Sequence, residues 1–321
     1  MRNQNFVPIP LQVFCWLVLS VALTGIGFAT DDTTAVYERE EKPQSIAQVT
    51  APVRQDSLSE QMKRFLRIKR DENRKSVAMQ TSVTRYMKTL EDGQRVTVDL
   101  IGVVHIGNRE YYEKLNEIFQ KYDAVLYELV APEGTRIPKG GRIDDGMNPL
   151  AALQRGMKSV LELEFQLDHV DYTVENFVHA DMTPEEFSES MVNNEESIVG
   201  MFMKALGQGL ANSNRSGPSD TELLLALMSR NRAQRLRQMA AEQMEDLESG
   251  MVIFSGKDGS TIINHRNRKA FTVLDREIEI GKRHLAVFYG AGHLPDMENL
   301  LMNERGMKRA GQYWLDAWHL R

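Results

Sequence analysis

The sequence predicts an α/β fold: a central mixed β-sheet built from two βαβ-type halves, with a mainly helical insert or lid between them. Three observations predict it. An apolar, β-branched run ending in Gly-x-x-His occurs twice, closing at Gly102-Val103-Val104-His105 and at Gly290-Ala291-Gly292-His293. A helix-like segment follows each copy. Strand–helix–strand patterning recurs at both ends of the chain, whereas residues from about 150 to 250 carry helical spacing.

The elements follow in order. Arg2 precedes an uncharged stretch with an apolar centre from Leu11 to Leu23, then Gly27-Phe28-Ala29. A positive start, a short apolar core and a small-x-small site predict a secretory signal peptide over residues 1–29, cleaved after Ala29. The competing reading is an uncleaved anchor over residues 11–28, near the lower length of a spanning helix. The single cysteine, Cys15, falls inside this segment. Cleavage would therefore leave neither a disulfide nor a thiol nucleophile. Residues 30–75 read as a flexible or helical lead, polar and aperiodic from Asp31 to about Ser59, with a short helix expected over Leu58 to Arg70.

The α/β domain is placed at residues 76–321. Val77 to Met87 and Val96 to Val104 are predicted strands joined at Glu91-Asp92-Gly93, a hairpin signal. Asn108 is a candidate cap for a helix running to about Tyr122, with Tyr112, Leu115 and Phe119 at helical spacing. Asp123 to Val130 is the next strand and completes a parallel crossover. Pro132 to Pro149 is a loop, Leu150 to Leu167 a helix, and Tyr172 to Val178 a short strand. Thr183-Pro184-Glu185-Glu186 opens a helix with cap chemistry. Asn212 to Ser219 breaks the chain before a long amphipathic helix, Asp220 to about Glu248. After a turn at Ser255 to Gly259 come a helix from Thr261 to Gly281, a strand from His284 to Tyr289, a helix from Pro295 to Arg305 and a last strand from Gly311 to Trp318.

The net charge of −6 and the lack of a basic face argue against a nucleic-acid partner. The basic run from Lys63 to Lys75 reads as a solvated face. Neither His-Glu-x-x-His, Gly-x-Ser-x-Gly nor a Walker sequence occurs, which disfavours common zincins, serine hydrolases and P-loop enzymes.

The chemistry is expected at strand ends. His105 and His293 each sit just past a probable buried strand, where open α/β sheets form ligand crevices. Two such imidazoles can share a metal ion or a substrate proton. Glu128 interrupts an otherwise apolar strand; it reads either as one half of a structural ion pair with an arginine, or as a metal ligand or general base. In His179-Ala180-Asp181 the His/Asp pair either ligates or caps the helix that follows. In His265-Arg266-Asn267-Arg268, Arg266 pairs with Glu128, binds an anion, or lies in a solvated turn.

Gly102-Val103-Val104-His105, Tyr127-Glu128-Leu129, Arg266-Asn267 and Gly290-Ala291-Gly292-His293, in this order, resemble the TraB/PrgY/GumN family, which includes the Tiki metalloproteases. The resemblance covers about Val96 to Trp318. It implies an erythromycin-esterase/ChaN-like fold and a site built from His105, Glu128 and His293 with Arg266 nearby. The family often has Glu-Arg-Asn where this chain has His265-Arg266-Asn267, so His265 would replace that glutamate. The expectation is an exported, metal-dependent hydrolase acting on peptides or another small exported substrate. His105, His293, Glu128 and Asp181 are the candidate ligands of a divalent ion (Mn, Co or Zn), and Glu128, Arg266 and His265 the candidate catalytic residues. A membrane partner is expected only if residues 11–28 are retained. The alternative is a non-catalytic envelope protein that sequesters peptides.

Overall fold

The computed structural model describes residues 64–132, 134, 135, 137, 138, 140, 160–193, 220–245 and 261–321. The expected signal segment with Cys15, the expected lead up to residue 63, most of the expected loop and helix between residues 132 and 159, and the expected break at 212–219 and turn at 255–259 lie outside them. Among the described residues, no helix is long and apolar enough to cross a membrane.

The expected mixed α/β sheet is present, with seven strands. β2 (Ser76–Thr89) and β3 (Arg95–Val103) form the predicted hairpin, antiparallel from Thr89↔Arg95 to Val83↔Ile101. β5 (Ala124–Tyr127) and β8 (His284–Gly290) run parallel to β3, with β8 between them. β7 (Phe177–His179) extends the sheet beyond β5. β9 (Lys308–His319) lies antiparallel along β2. The two strand–helix–strand units therefore interlock through the central β8. A separate two-stranded ladder joins β4 (Ile106–Gly107) to β6 (Glu164–Phe165).

Side chains on the central strands alternate between two apolar layers, as the two-residue period of a pleated strand requires. Val98, Leu100, Leu126, Leu285 and Val287 join one cluster, covered by α6 (Arg266–Glu279) through Ala270, Phe271 and Leu274 and by α7 (Leu294–Asn299) through Leu294 and Met297. Ile101, Val103, Val125 and Phe288 join the other, covered by α1 (Arg109–Phe119) through Tyr112, Leu115 and Phe119. Helices on both faces explain why these strands read as continuous apolar runs. Gly102 permits the close approach of α7: a Cβ there would meet Leu294 Cδ2 at 3.3 Å.

Several expectations are corrected. The helix expected up to Arg70 is instead β1 (Leu66–Arg70), paired antiparallel with β2. Leu66 and Ile68 point inward while Arg67, Lys69 and Arg70 face out, a two-residue alternation that suits a strand and not a helix. The sheet thus begins ahead of residue 76. Asn108 occupies the cap position of α1 without capping it; its Oδ1 accepts the His319 backbone N–H at 2.6 Å and so ties α1 to β9.

The expected helix through Leu167 gives way after Leu161. Glu162 adopts φ +53°, a helix-ending conformation, and β6 and α2 (Gln166–His169) follow. The long helix from Asp220 divides into α4 (Asp220–Leu227) and α5 (Arg232–Glu245). Ser229 Oγ donates to the Ala226 carbonyl at 2.9 Å, a local bond that competes with continued helix. By contrast, Thr183 and Glu186 form the expected reciprocal cap of α3 (Pro184–Asn193), at 2.9 and 3.2 Å.

Candidate active site

β3, β8 and β5 are mutually parallel neighbours and end at one edge, with Val103 opposite Gly290 and Tyr127 opposite Phe288. His105, Glu128 and His293 all lie within three residues of those ends. The structure brings them together. A Cβ placed on Gly290 would meet Glu128 Oε2 at 3.3 Å, His293 Cδ2 at 3.7 Å and His105 Nε2 at 3.8 Å. The missing side chain of Gly290 therefore leaves a gap lined by all three.

Glu128 is held on both oxygens. Oε1 accepts from Arg266 Nη2 at 2.8 Å and Oε2 from the Gly290 backbone N–H at 2.7 Å. Arg266, on the first turn of α6, is 2 % exposed and also forks onto Asp181, Nε to Oδ1 at 2.9 Å and Nη2 to Oδ2 at 2.5 Å. Burial alone would keep the Glu128 carboxyl protonated. The Arg266 guanidinium, helped by His293 and His105, outweighs it and holds the carboxyl well below the usual glutamate range. Burial would likewise lower the Arg266 pKa, but Asp181 and Glu128 raise it. Arg266 is thus the arginine partner that an apolar strand with one carboxylate demanded.

Asp181 stands behind Arg266. Its oxygens take the guanidinium and the Met182 backbone N–H, so it anchors the arginine and is not turned to the Gly290 gap. His265 is turned elsewhere too, its Nδ1 facing Ser190 Oγ at 3.2 Å. His179 bonds the Leu129 carbonyl through Nε2 at 2.6 Å.

The two central imidazoles are fixed from behind. Asn267 Nδ2 donates to the His293 carbonyl and to Asp296 Oδ2, so its Oδ1 faces His293 Nδ1, at 2.7 Å, as an acceptor. His105 Nδ1 meets Gln166 Oε1 at 2.9 Å. The ring nitrogen next to each amide oxygen is Nδ1, so each Nε2 is directed to the other side, toward the gap at Gly290. His293 Nε2 lies 3.4 Å from Glu128 Oε1.

Two imidazoles face one carboxylate, and the buried carboxylates of Glu128 and Asp181 share a single guanidinium. One negative charge is left for a proton or a metal ion to offset. An amide oxygen behind each ring is the support that metal-ligating histidines receive. As the side chains stand, no group of three or more His, Cys, Asp or Glu among the described residues is arranged to hold a metal ion.

Sequence reasoning placed Asn267 in a cluster without a role and missed Gln166. Gln166 reaches His105 only because β4 and β6 pair, a contact with no local signal.

Fold and site together define an α/β protein with a His–Glu–His centre at the carboxyl edge of its parallel strands. No protein-family model, curated protein or solved structure matches the chain.

Proposed function

We propose that the protein is an exported, metal-dependent hydrolase acting on peptides. The observation that carries this reading is the pair of imidazole Nε2 atoms beside Glu128 at the gap left by Gly290. The peptide substrate follows from the family resemblance, and export from the segment at residues 1–29.

His105 Nε2, His293 Nε2 and a Glu128 oxygen would hold the divalent ion. When bound, it brings the pKa of a coordinated water toward neutrality and polarises a carbonyl. Glu128 acts as a ligand and not as the base: a carboxyl held ionised by Arg266 is a weak proton acceptor. Arg266 keeps that carboxylate in place and is in turn fixed by Asp181. Asn267 and Gln166 hold the imidazoles.

The test incubates purified protein and a defined peptide mixture with Mn, Co or Zn, followed by mass spectrometry. New termini that vanish in the Glu128→Gln and His293→Ala variants support hydrolysis. A second reading draws on the His293–Glu128 separation of 3.4 Å, which also suits an imidazolium–carboxylate pair without metal. In that case the cleft would sequester peptides. Peptide retained without new termini supports it.

A further inference from the structure

The outward face of α4 is apolar. Leu224, Leu225, Leu227 and Met228 are 58, 58, 46 and 78 % exposed. Met228 lies one residue past α4, but its backbone N–H donates to the Leu224 carbonyl at 3.0 Å, so it keeps the helical spacing. At about 100° per residue, the four side chains span an arc of roughly 160°. Ala226 falls on the opposite side, is 2 % exposed and joins Leu236, Ala240 and Ala241 of α5 in an apolar cluster. A surface helix normally shows the reverse pattern, with its large apolar residues inward and polar residues outward. Single exposed leucines are ordinary, whereas four apolar side chains together mark a surface that takes up a partner.

The charges beside this face have one sign. From Leu223 to Ala241 the charged residues are Arg230, Arg232, Arg235 and Arg237, without an acid, in a chain of net charge −6. Arg237 turns back onto the Leu161 carbonyl at 3.0 Å. Arg230, Arg232 and Arg235 are exposed, and none of the three is in an ion pair among the described residues. Arg232 and Arg235 stand one turn apart at the start of α5, so they share a face.

We propose that the corner between α4 and α5 docks on the surface of an anionic lipid bilayer. Leu224, Leu225, Leu227 and Met228 enter the acyl boundary, and Arg230, Arg232 and Arg235 meet the phosphates of the headgroups. The guanidinium fork suits a phosphate, and its long stem keeps the charge at headgroup level while the apolar side chains go deeper. A second copy of the chain fits this face less well. Pairing two such corners would set their arginines against each other with no acid between them. An eight-residue helix, about 12 Å long, also offers little of the roughly 800 Å² per partner that a stable dimer uses. The docking is independent of the hydrolase reading and of residues 11–28.

The experiment places an environment-sensitive NBD label on Met228→Cys in a Cys15→Ser background. The label reports on this position whatever residues 11–28 do. Vesicles of phosphatidylglycerol mixed with phosphatidylcholine are expected to raise and blue-shift its emission. Vesicles of phosphatidylcholine alone should act far more weakly, and added salt should weaken binding to the anionic ones. Replacing Arg230, Arg232 and Arg235 by glutamine should weaken that binding roughly 100-fold, at about fivefold per arginine. Leu224→Gln combined with Leu225→Gln should abolish the blue shift. These side chains are exposed, so the variants should keep the wild-type circular dichroism and unfolding midpoint.

Equal response to both kinds of vesicle, or binding untouched by the arginine replacements, overturns the proposal. Emission already blue-shifted without vesicles overturns it too. If that shift grows with protein concentration, a second copy occupies the face; if it is constant, the chain covers the face itself. Docking that persists in a protein without peptide cleavage overturns only the hydrolase reading.

Discussion

Glu128 Oε1 and His293 Nε2 stand 3.4 Å apart, while the far nitrogen of the same imidazole bonds Asn267. A neutral His293 therefore turns a lone pair toward a carboxylate oxygen. That arrangement is unfavourable unless positive charge lies between the two atoms. Both functional readings are answers to the question of which cation it is.

Gly290→Ala isolates the gap from the fold. Gly290 has φ −49° and ψ 135°, so alanine meets no backbone strain. Its Cβ would sit 3.3 Å from Glu128 Oε2 and crowd the space shared with both histidines. The expected outcome is a variant within about 1 kcal/mol of wild type in stability that loses divalent-ion binding and peptide turnover. Urea unfolding and calorimetric titration check the two halves separately.

Asp181→Ala tests the anchor. It strips a fully buried guanidinium of its two-pronged partner, and removal of one member of a buried pair costs about 3–5 kcal/mol. Glu128→Gln leaves Asp181 on Arg266 and is expected to cost less. Equal losses in urea unfolding would contradict the anchoring role of Asp181.

The pH dependence of stability should carry the signature of Glu128. Its folded-state pKa lies below the ordinary glutamate value, so its contribution is complete above that ordinary value. It is lost as pH falls through the depressed folded value, because protons then bind the unfolded chain first. The stability difference between wild type and Glu128→Gln should shrink on acidification. A difference constant with pH would contradict the depressed pKa.

Asp99→Ala is a control on β3 away from the site. Asp99 is 1 % exposed and accepts both prongs of Arg85, at 2.8 and 2.7 Å, and the Tyr122 hydroxyl at 2.7 Å. Since Arg85 is 44 % exposed, the loss belongs at the lower end of about 3–5 kcal/mol. Divalent-ion affinity should be unchanged.

The parts of this molecule that were legible in the sequence are those written in local patterns. Alternating and continuous apolar runs marked β2, β3, β5 and β8, and Thr183 with Glu186 marked the start of α3. The site was visible for a related reason: Gly-x-x-His after two strands and a lone carboxylate in a third place all three groups at sheet ends. Features set by distant contacts were not legible. β1 exists through its pairing with β2, and the basic run on its exposed face concealed it. The roles of Asp181 and Gln166 depend on which neighbours the tertiary fold supplies, 85 and 61 residues away in the chain.

Calorimetric titration of metal-free protein with Zn, Mn and Co, on wild type and on His293→Ala, bears most directly on the His–Glu–His centre. Saturable uptake of about one ion per chain, abolished in His293→Ala, is the expected result. Wild-type protein that takes up none of the three ions, or a His293→Ala variant that binds as wild type does, would contradict a metal site built on His105, Glu128 and His293.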